Sequence, residues 1–260
     1  GKTDYYNLLS DINDAPFPYR IQANASIRRQ IVPAPTASVI TMRGCPYKCP
    51  FCVSGNLRGT GEKKYSKRST DNIITELKLL QSEGYKSVIF YDDCLFFGGN
   101  VNDQIAGFCA AICTAELCLK WTMELRPDVF ELLTEDSFFV LAESGCREIN
   151  IGFESANFET QKKFKKKFNI QKTAMQCQIG MKAGIAINGT FIIGGPDETV
   201  ETICNTICVA SQLGLLFAHF TPLEVYPGTP LYTSMFQDDD RVWFYLLKND
   251  SLKWNEIIYE

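Results

Sequence analysis

From position 38 onward the chain repeats one pattern: a short apolar, β-branched run, then a longer stretch striped at helical spacing. The short runs fall at 38–43 (SVITMR), 86–91 (KSVIFY), 119–126 (LKWTMELR), 147–153 (REINIGF), 186–193 (AINGTFII) and 216–226 (LFAHFTPLEVY), and they predict strands. Ile73, Ile74, Leu77, Leu79 and Leu80 stripe one intervening helix, and Ile105, Phe108, Ala111 and Ile112 the next. Segments 128–142, 171–183 and 199–213 complete the helices, with Gly84, Gly145, Gly184 and Gly214 placed as stops. Strand then helix, six times over, predicts a parallel sheet with helices outside, a partial (β/α)6 TIM-like barrel of the α/β class.

The flanks lack this periodicity. Residues 1–37 carry prolines at 16, 18, 33 and 35 and read as an N-terminal extension or linker. The barrel then occupies 38–232. Residues 233–260, with Asp238, Asp239 and Asp240 followed by an amphipathic tail (Trp243, Phe244, Leu246, Leu247, Trp254), read as a C-terminal helical tail closing the barrel.

In barrels of this kind, chemistry gathers at the C-terminal ends of the strands. Polar groups and glycines fall at that end of every predicted strand. A cysteine-rich loop follows the first and Asp92-Asp93 the second. The third ends at Glu124 and Arg126, with Thr122 on the same face, and the fourth at Glu154, sharing a face with Asn150 and Gly152. Gly194-Gly195-Pro196-Asp197-Glu198 follows the fifth, and the sixth carries Glu224 and Tyr226. No G-x-G-x-x-G or G-x4-G-K-[ST] fingerprint occurs, which weakens a dinucleotide or P-loop reading.

The cysteine loop, RGCPYKCPFC over 43–52, holds Cys45, Cys49 and Cys52 in a C-x3-C-x2-C triplet broken by Pro46 and Pro50. Three thiolates at this spacing can fold round one face of a four-iron cluster and leave its fourth iron open, whereas electron-carrying clusters usually have four cysteines. Structural zinc is the alternative, but it asks for four ligands, commonly in two pairs, and the chain has no second pair at a suitable distance and one histidine, His219. A disulfide framework suits small secreted domains rather than 260 residues with 11 cysteines.

A net charge of −4 and pI near 5.3 argue against a dedicated nucleic-acid binder. No apolar run approaches membrane-spanning length and no signal peptide is visible, so a reducing cytoplasm is the expected location.

Together these residues resemble the radical S-adenosylmethionine (SAM) superfamily, from about Asp14 to Tyr232. They are most similar to the branch whose members usually carry an N-terminal cobalamin-binding domain. The motifs are the PFPYR linker, RGCPYKCPFC, FYDD, WTMELRPD, GFES, GTFIIGGPDET and YPGTPLY. The resemblance implies a [4Fe-4S] cluster on Cys45, Cys49 and Cys52, with SAM chelating the open iron. One electron then cleaves SAM to methionine and a 5′-deoxyadenosyl radical, which abstracts hydrogen from substrate. It further implies Phe51 beside the adenine, Asp92 and Asp93 on the methionine ammonium, Arg126 on the SAM carboxylate, and Glu154 on the ribose hydroxyls. Gly194 and Gly195 would let backbone approach the adenine.

A low-potential electron donor, flavodoxin or ferredoxin, is implied as partner, with a small-molecule or natural-product substrate. Nucleic acid and membrane are not expected partners. No cobalamin domain is visible in this sequence, which leaves cobalamin-free radical chemistry, the catalytic half of a cobalamin-dependent methyltransferase, and a non-catalytic iron–sulfur scaffold as alternatives.

Four further features have two readings or a bland one. Cys94 either donates a hydrogen atom near substrate or packs as a small core residue. Cys109, Cys113, Cys118, Cys204 and Cys208 read as helix packing. Glu224 and Tyr226 alternate onto one side and face either substrate or the rim. The run Lys162-Lys163-Phe164-Lys165-Lys166-Lys167 reads as a solvated face, or else as a dock for a phosphorylated substrate or an acidic electron donor.

Overall fold

A computed structural model describes residues 11–20, 32–56, 65–196 and 198–236. Six parallel strands form one open sheet in the order β1 (Thr36–Val39), β4 (Ser87–Phe90), β5 (Lys120–Leu125), β6 (Cys146–Glu154), β7 (Ala186–Ile193) and β8 (Phe217–Pro222). A separate antiparallel pair, β2 (Met42–Arg43) with β3 (Ser66–Lys67), brackets the cysteine loop. The connecting helices are α1 (Thr70–Ser82), α2 (Val101–Thr114), α3 (Pro127–Phe130), α4 (Glu135–Glu143), α5 (Phe158–Lys163), α6 (Ile170–Lys182) and α7 (Val200–Gln212); α8 (Pro230–Phe236) follows the last strand. The sheet is a partial barrel that does not close, as the periodicity predicts.

Local chemistry explains the element ends. Ser69 caps α1 by accepting from the Asn72 backbone N–H, and Thr199 and Thr202 form a reciprocal capping box on α7. The predicted helix over 128–142 is in fact two helices, because Thr134 leaves helical geometry to cap Ser137 at the start of α4. Leu79, placed in the core stripe by spacing, lies on the outer side of α1 and is exposed.

Register fixes which side chains meet. Glu124 of β5 aligns with Asn150 of β6 and Asn188 of β7, and Thr190 aligns with His219 of β8. The inner face of the half-barrel is therefore polar. The opposite face packs against the helices through Phe90, Phe108, Trp121, Phe153 and Phe191, all buried. Trp121 anchors this layer, with its indole N–H donating to the Ser144 carbonyl at 3.0 Å.

The two edges of the sheet differ. At β1 the segment around Pro16–Arg20 is clasped to the barrel. Arg20 donates to the Ser38 carbonyl at 2.8 Å and shares the buried Glu76 carboxylate with Arg68, each at 2.6 Å. Phe17 lies under the Arg68 guanidinium, and Asn13 accepts from the Ser69 N–H. At β8, Phe217, Ala218 and His219 are exposed. The predicted C-terminal tail lies outside the described residues beyond position 236.

Gly145 joins α4 to β6 at φ +104°, where a Cβ would stand 2.4 Å from the Leu119 carbonyl oxygen. Replacing Gly145 with Ala should lower stability by roughly 1–3 kcal/mol. The check is an earlier urea unfolding midpoint at unchanged denaturant slope.

Candidate active site

The chain after β1 turns sharply through the cysteine segment, and the sequence supplies the means. Pro46 and Pro50 fix backbone angles, and Cys52 N–H donates to the Cys49 carbonyl at 3.1 Å. The Asn56 amide then ties the Cys49 and Cys52 carbonyls at 3.0 and 2.6 Å. Cys49 is buried, whereas Cys45 and Cys52 are half-buried, and all three are free thiols. Among the described residues no three His, Cys, Asp or Glu side chains converge on a single ion. A multi-iron cluster is served by thiols held apart, one to each of three irons.

Electrostatics act in opposite directions on two of the loop's thiols. Arg126 Nη1 donates to Cys49 Sγ at 3.1 Å, and its guanidinium stacks on Tyr47 at 3.8 Å. Burial pushes the Cys49 thiol up, with Lys166 and Arg126 opposing. The Cys45 thiol is drawn down to about 7, first by the neighbouring Cys94 thiol, whose proton points to the Phe96 carbonyl at 3.4 Å, and against its own burial. The donor set of three thiols, one touched by a guanidinium, fits a cluster with a net negative charge.

Beside the loop, at the C-terminal ends of the strands, a cavity of about 190 Å³ opens onto the inner face. Asp93, Cys94, Glu124, Arg126, Glu154 and Lys166 line it, with Asn150 and Thr190 deeper on the strands. Three carboxylates against two cations make it suited to a ligand bearing positive charge as well as an anionic group. Glu124 stands at the mouth. Its carboxyl is pushed above the usual range by the low-dielectric wall, opposed by Lys166 and reinforced by Asp93, Asp92 and Glu154.

Glu154 is built in under strain. It ends β6 at φ +65°, where the pairing with β7 slips by one residue, a conformation that non-glycine residues adopt at a cost. Its carboxylate is held by the buried Lys166 ammonium, which also donates to the Gly152 carbonyl at 2.8 Å. A Cβ on Gly152 would stand 2.7 Å from that ammonium, so glycine is what lets the pair cross the strand.

Several expectations change. Asp92 does not face the cavity. Buried, it accepts from Thr41 N–H (2.6 Å), Met42 N–H (2.8 Å) and Thr41 Oγ1 (3.0 Å), pinning the approach to the cysteine loop. Asp93 alone of the pair reaches the cavity. The Arg126 fork is taken by Asp128, at 2.9 and 3.4 Å, and its Nη2 donates to the Lys165 carbonyl at 3.0 Å. A ligand carboxylate therefore meets an already engaged guanidinium.

Gly194 takes φ +82° with open space where a Cβ would go, whereas the space beside Gly195 is filled by Phe164 and by Glu198, which accepts from the Gly195 N–H at 2.9 Å. Phe51 packs edge-on to Phe164 at 4.8 Å between ring centroids. Glu224 and Tyr226 lie past the end of β8, which stops at Pro222. There Tyr226 donates to the Glu224 carboxylate on the exposed rim, and neither lines the cavity. Cys113, Cys118, Cys204 and Cys208 are exposed rather than packed, and Cys109 is buried as expected.

Lys166 is the site residue that the lysine run concealed. The only sequence signal is its place between Phe164 and Phe168, a period-two alternation inside a charged stretch.

Comparison with known proteins agrees with this geometry. The model of the radical SAM superfamily matches residues 39–207. An uncharacterized methyltransferase of Pyrococcus horikoshii is 30% identical over 247 residues, covering 94% of this chain and 49% of that protein. The bacteriochlorophyllide d C-12(1)-methyltransferase of Chlorobaculum tepidum is 28% identical over 206 residues, 76% of this chain and 42% of that enzyme. TsrM of Kitasatospora setae, a radical SAM methyltransferase solved with cobalamin and a [4Fe-4S] cluster, superposes with a TM-score of 0.65 at 21% identity. That superposition covers 77% of this chain and 36% of TsrM, and shows the likeness of fold. The chain thus belongs to the radical SAM superfamily, whose members use a [4Fe-4S] cluster and SAM. It spans about half the length of the curated relatives it matches.

Because Asp92 holds backbone, Asp92→Asn should cost about 1–3 kcal/mol, seen as an earlier urea midpoint, and should lower the iron bound after reconstitution. Asp93→Asn should change stability by no more than about 0.5 kcal/mol, seen as a nearly unchanged urea midpoint.

Proposed function

We propose that Cys45, Cys49 and Cys52 hold the cluster, that SAM occupies the adjoining cavity, and that the chain catalyses a radical reaction on a small organic substrate. The observation that carries this is the adjacency of the cysteine loop to a charged cavity, joined through Arg126 and the Cys45–Cys94 contact. Bound together, cluster and SAM supply one-electron cleavage to a 5′-deoxyadenosyl radical. The protein's part is positioning and exclusion of water. Asp93 and Glu124 suit the ammonium of SAM, Glu154 its ribose hydroxyls, and Lys166 with the remaining Arg126 donor its carboxylate.

Gly194 leaves backbone open toward the adenine, and Phe51 braces that wall against Phe164. The buried Cys94 thiol lines the same cavity, and a thiol there could give a hydrogen atom to a product radical.

The named relatives make methyl transfer the reaction to test first, and cobalamin, bound in the TsrM structure, belongs to that reading. A low-potential protein such as flavodoxin or ferredoxin supplies the electron. The cytoplasm is the compartment in which free thiols and a reduced cluster coexist. Among the described residues, no helix is long and apolar enough to cross a membrane.

Anaerobic reconstitution with iron and sulfide, then dithionite and SAM, should yield 5′-deoxyadenosine, and Cys49→Ala should abolish it. An intact four-iron cluster that never cleaves SAM would leave only the scaffold reading.

Affinity for SAM should fall on the acid side as the raised Glu124 carboxyl takes up its proton, since the neutral acid no longer attracts the ligand cation. Equilibrium binding across that range is the check, and Glu124→Gln should flatten this limb, leaving what Asp93 and Glu154 contribute.

A further inference from the structure

The lysines flanking Lys166 have a position that solvation alone does not explain. Lys162, Lys163, Lys165 and Lys167 are exposed over six consecutive residues, in a chain whose net charge is −4. Lys166 points inward between them, and Lys165 takes φ +54°, which turns the backbone so that its side chain stays outside. This basic turn is seated directly on the cysteine loop. Phe164 is buried edge-on to Phe51, the residue before Cys52. The Lys165 carbonyl accepts from the same Arg126 guanidinium that donates to Cys49 Sγ, at 3.0 and 3.1 Å. On the other side of that guanidinium is Tyr47, followed by the exposed Lys48.

One side chain thus separates a cationic surface from a cluster sulfur. The nearby acids do not cancel it. Asp128 is paired with Arg126, and Glu131, which keeps its charge, is turned to the Asn169 N–H and the Thr173 hydroxyl at the start of α6. Glu159 is exposed at the far end of α5.

We propose that Lys48, Lys162, Lys165 and Lys167 form the landing surface for an acidic, low-potential electron-transfer protein carrying a one-electron flavin or iron–sulfur centre. The inference rests on the cluster being held by Cys45, Cys49 and Cys52. One electron leaves the reduced partner, which is oxidised by one equivalent, and reduces the cluster; no bond forms and no proton need move. A positive patch in an acidic protein orients such a partner by steering, an effect that acts on association rate and weakens with salt.

The test compares two reductants on the reconstituted protein, following loss of the cluster's visible absorption anaerobically by stopped flow. One is reduced flavodoxin; the other is photoreduced 5-deazariboflavin, a neutral small molecule indifferent to the patch. The combined Lys162→Glu, Lys165→Glu and Lys167→Glu variant should be reduced by flavodoxin about tenfold or more slowly at low ionic strength. With deazaflavin its rate should match the unmodified protein. Added salt should slow the unmodified protein toward the variant's rate. A control with Lys78→Glu, Lys86→Glu and Lys182→Glu carries the same net charge change at exposed positions elsewhere, and should keep the original flavodoxin rate.

Equal flavodoxin rates in the patch variant and the unmodified protein would overturn the proposal. So would equal slowing in the control, which would make net charge the cause, or slowing with deazaflavin, which would make the lysines part of cluster assembly. If neither reductant reduces the unmodified protein, the cluster reading itself fails.

Discussion

The Arg126 guanidinium is the interaction on which the site depends. It is buried at the end of β5, where Asp128 two residues on pairs with it, yet three of its contacts belong to other parts of the chain: the Cys49 sulfur, the Tyr47 ring and the Lys165 carbonyl. A buried cation is costly unless nearly all its donors are used. Here the planar fork engages three loops that sequence keeps far apart. Lysine could supply the charge but not the geometry. Holding the cysteine loop, the end of β5 and the turn after α5 in one register is what makes a cavity of the space between them.

Much of the architecture is visible in the sequence because it rests on short-range rules. The strand runs, the helix stripes and the glycines at 84, 145, 184 and 214 are local, and each of those glycines takes positive φ. What was hidden depends on partners supplied by the fold. Asp92 and Asp93 are neighbours of identical type, and only the direction of the chain after β4 sends one to backbone and the other to the cavity. Lys166 looks like its neighbours until Glu154 is seen opposite. Glu224 and Tyr226 shared a face only if β8 ran on to 226; it ends at Pro222, and the alternation ends with it. Cys113, Cys118, Cys204 and Cys208 are exposed because cysteine's burial preference is a tendency of the residue type, not of a helix face.

Strain is concentrated where the ligand is expected. Glu154 occupies a left-handed conformation at a bulge, and its side chain is satisfied by a lysine that fits only because residue 152 has no Cβ. Ser155 and Glu198 hold the neighbouring turn through hydrogen bonds to each other and to the Gly195 N–H. The surrounding network over-determines a conformation the residue would not choose, which is how a functional carboxylate is kept fixed before any ligand arrives.

The unequal edges of the sheet have a dynamic consequence. A closed barrel is held to its curvature by ring geometry; this one is open, so its curvature depends on whatever pins each side. The β1 side is pinned by Glu76 shared between two arginines, whereas among the described residues the β8 side exposes Phe217, Ala218 and His219. Among the described residues, the cross-ties that resist flexing therefore gather on the β1 side. Amide protons of β1, an edge strand by position, will then exchange later than an unclasped edge would allow.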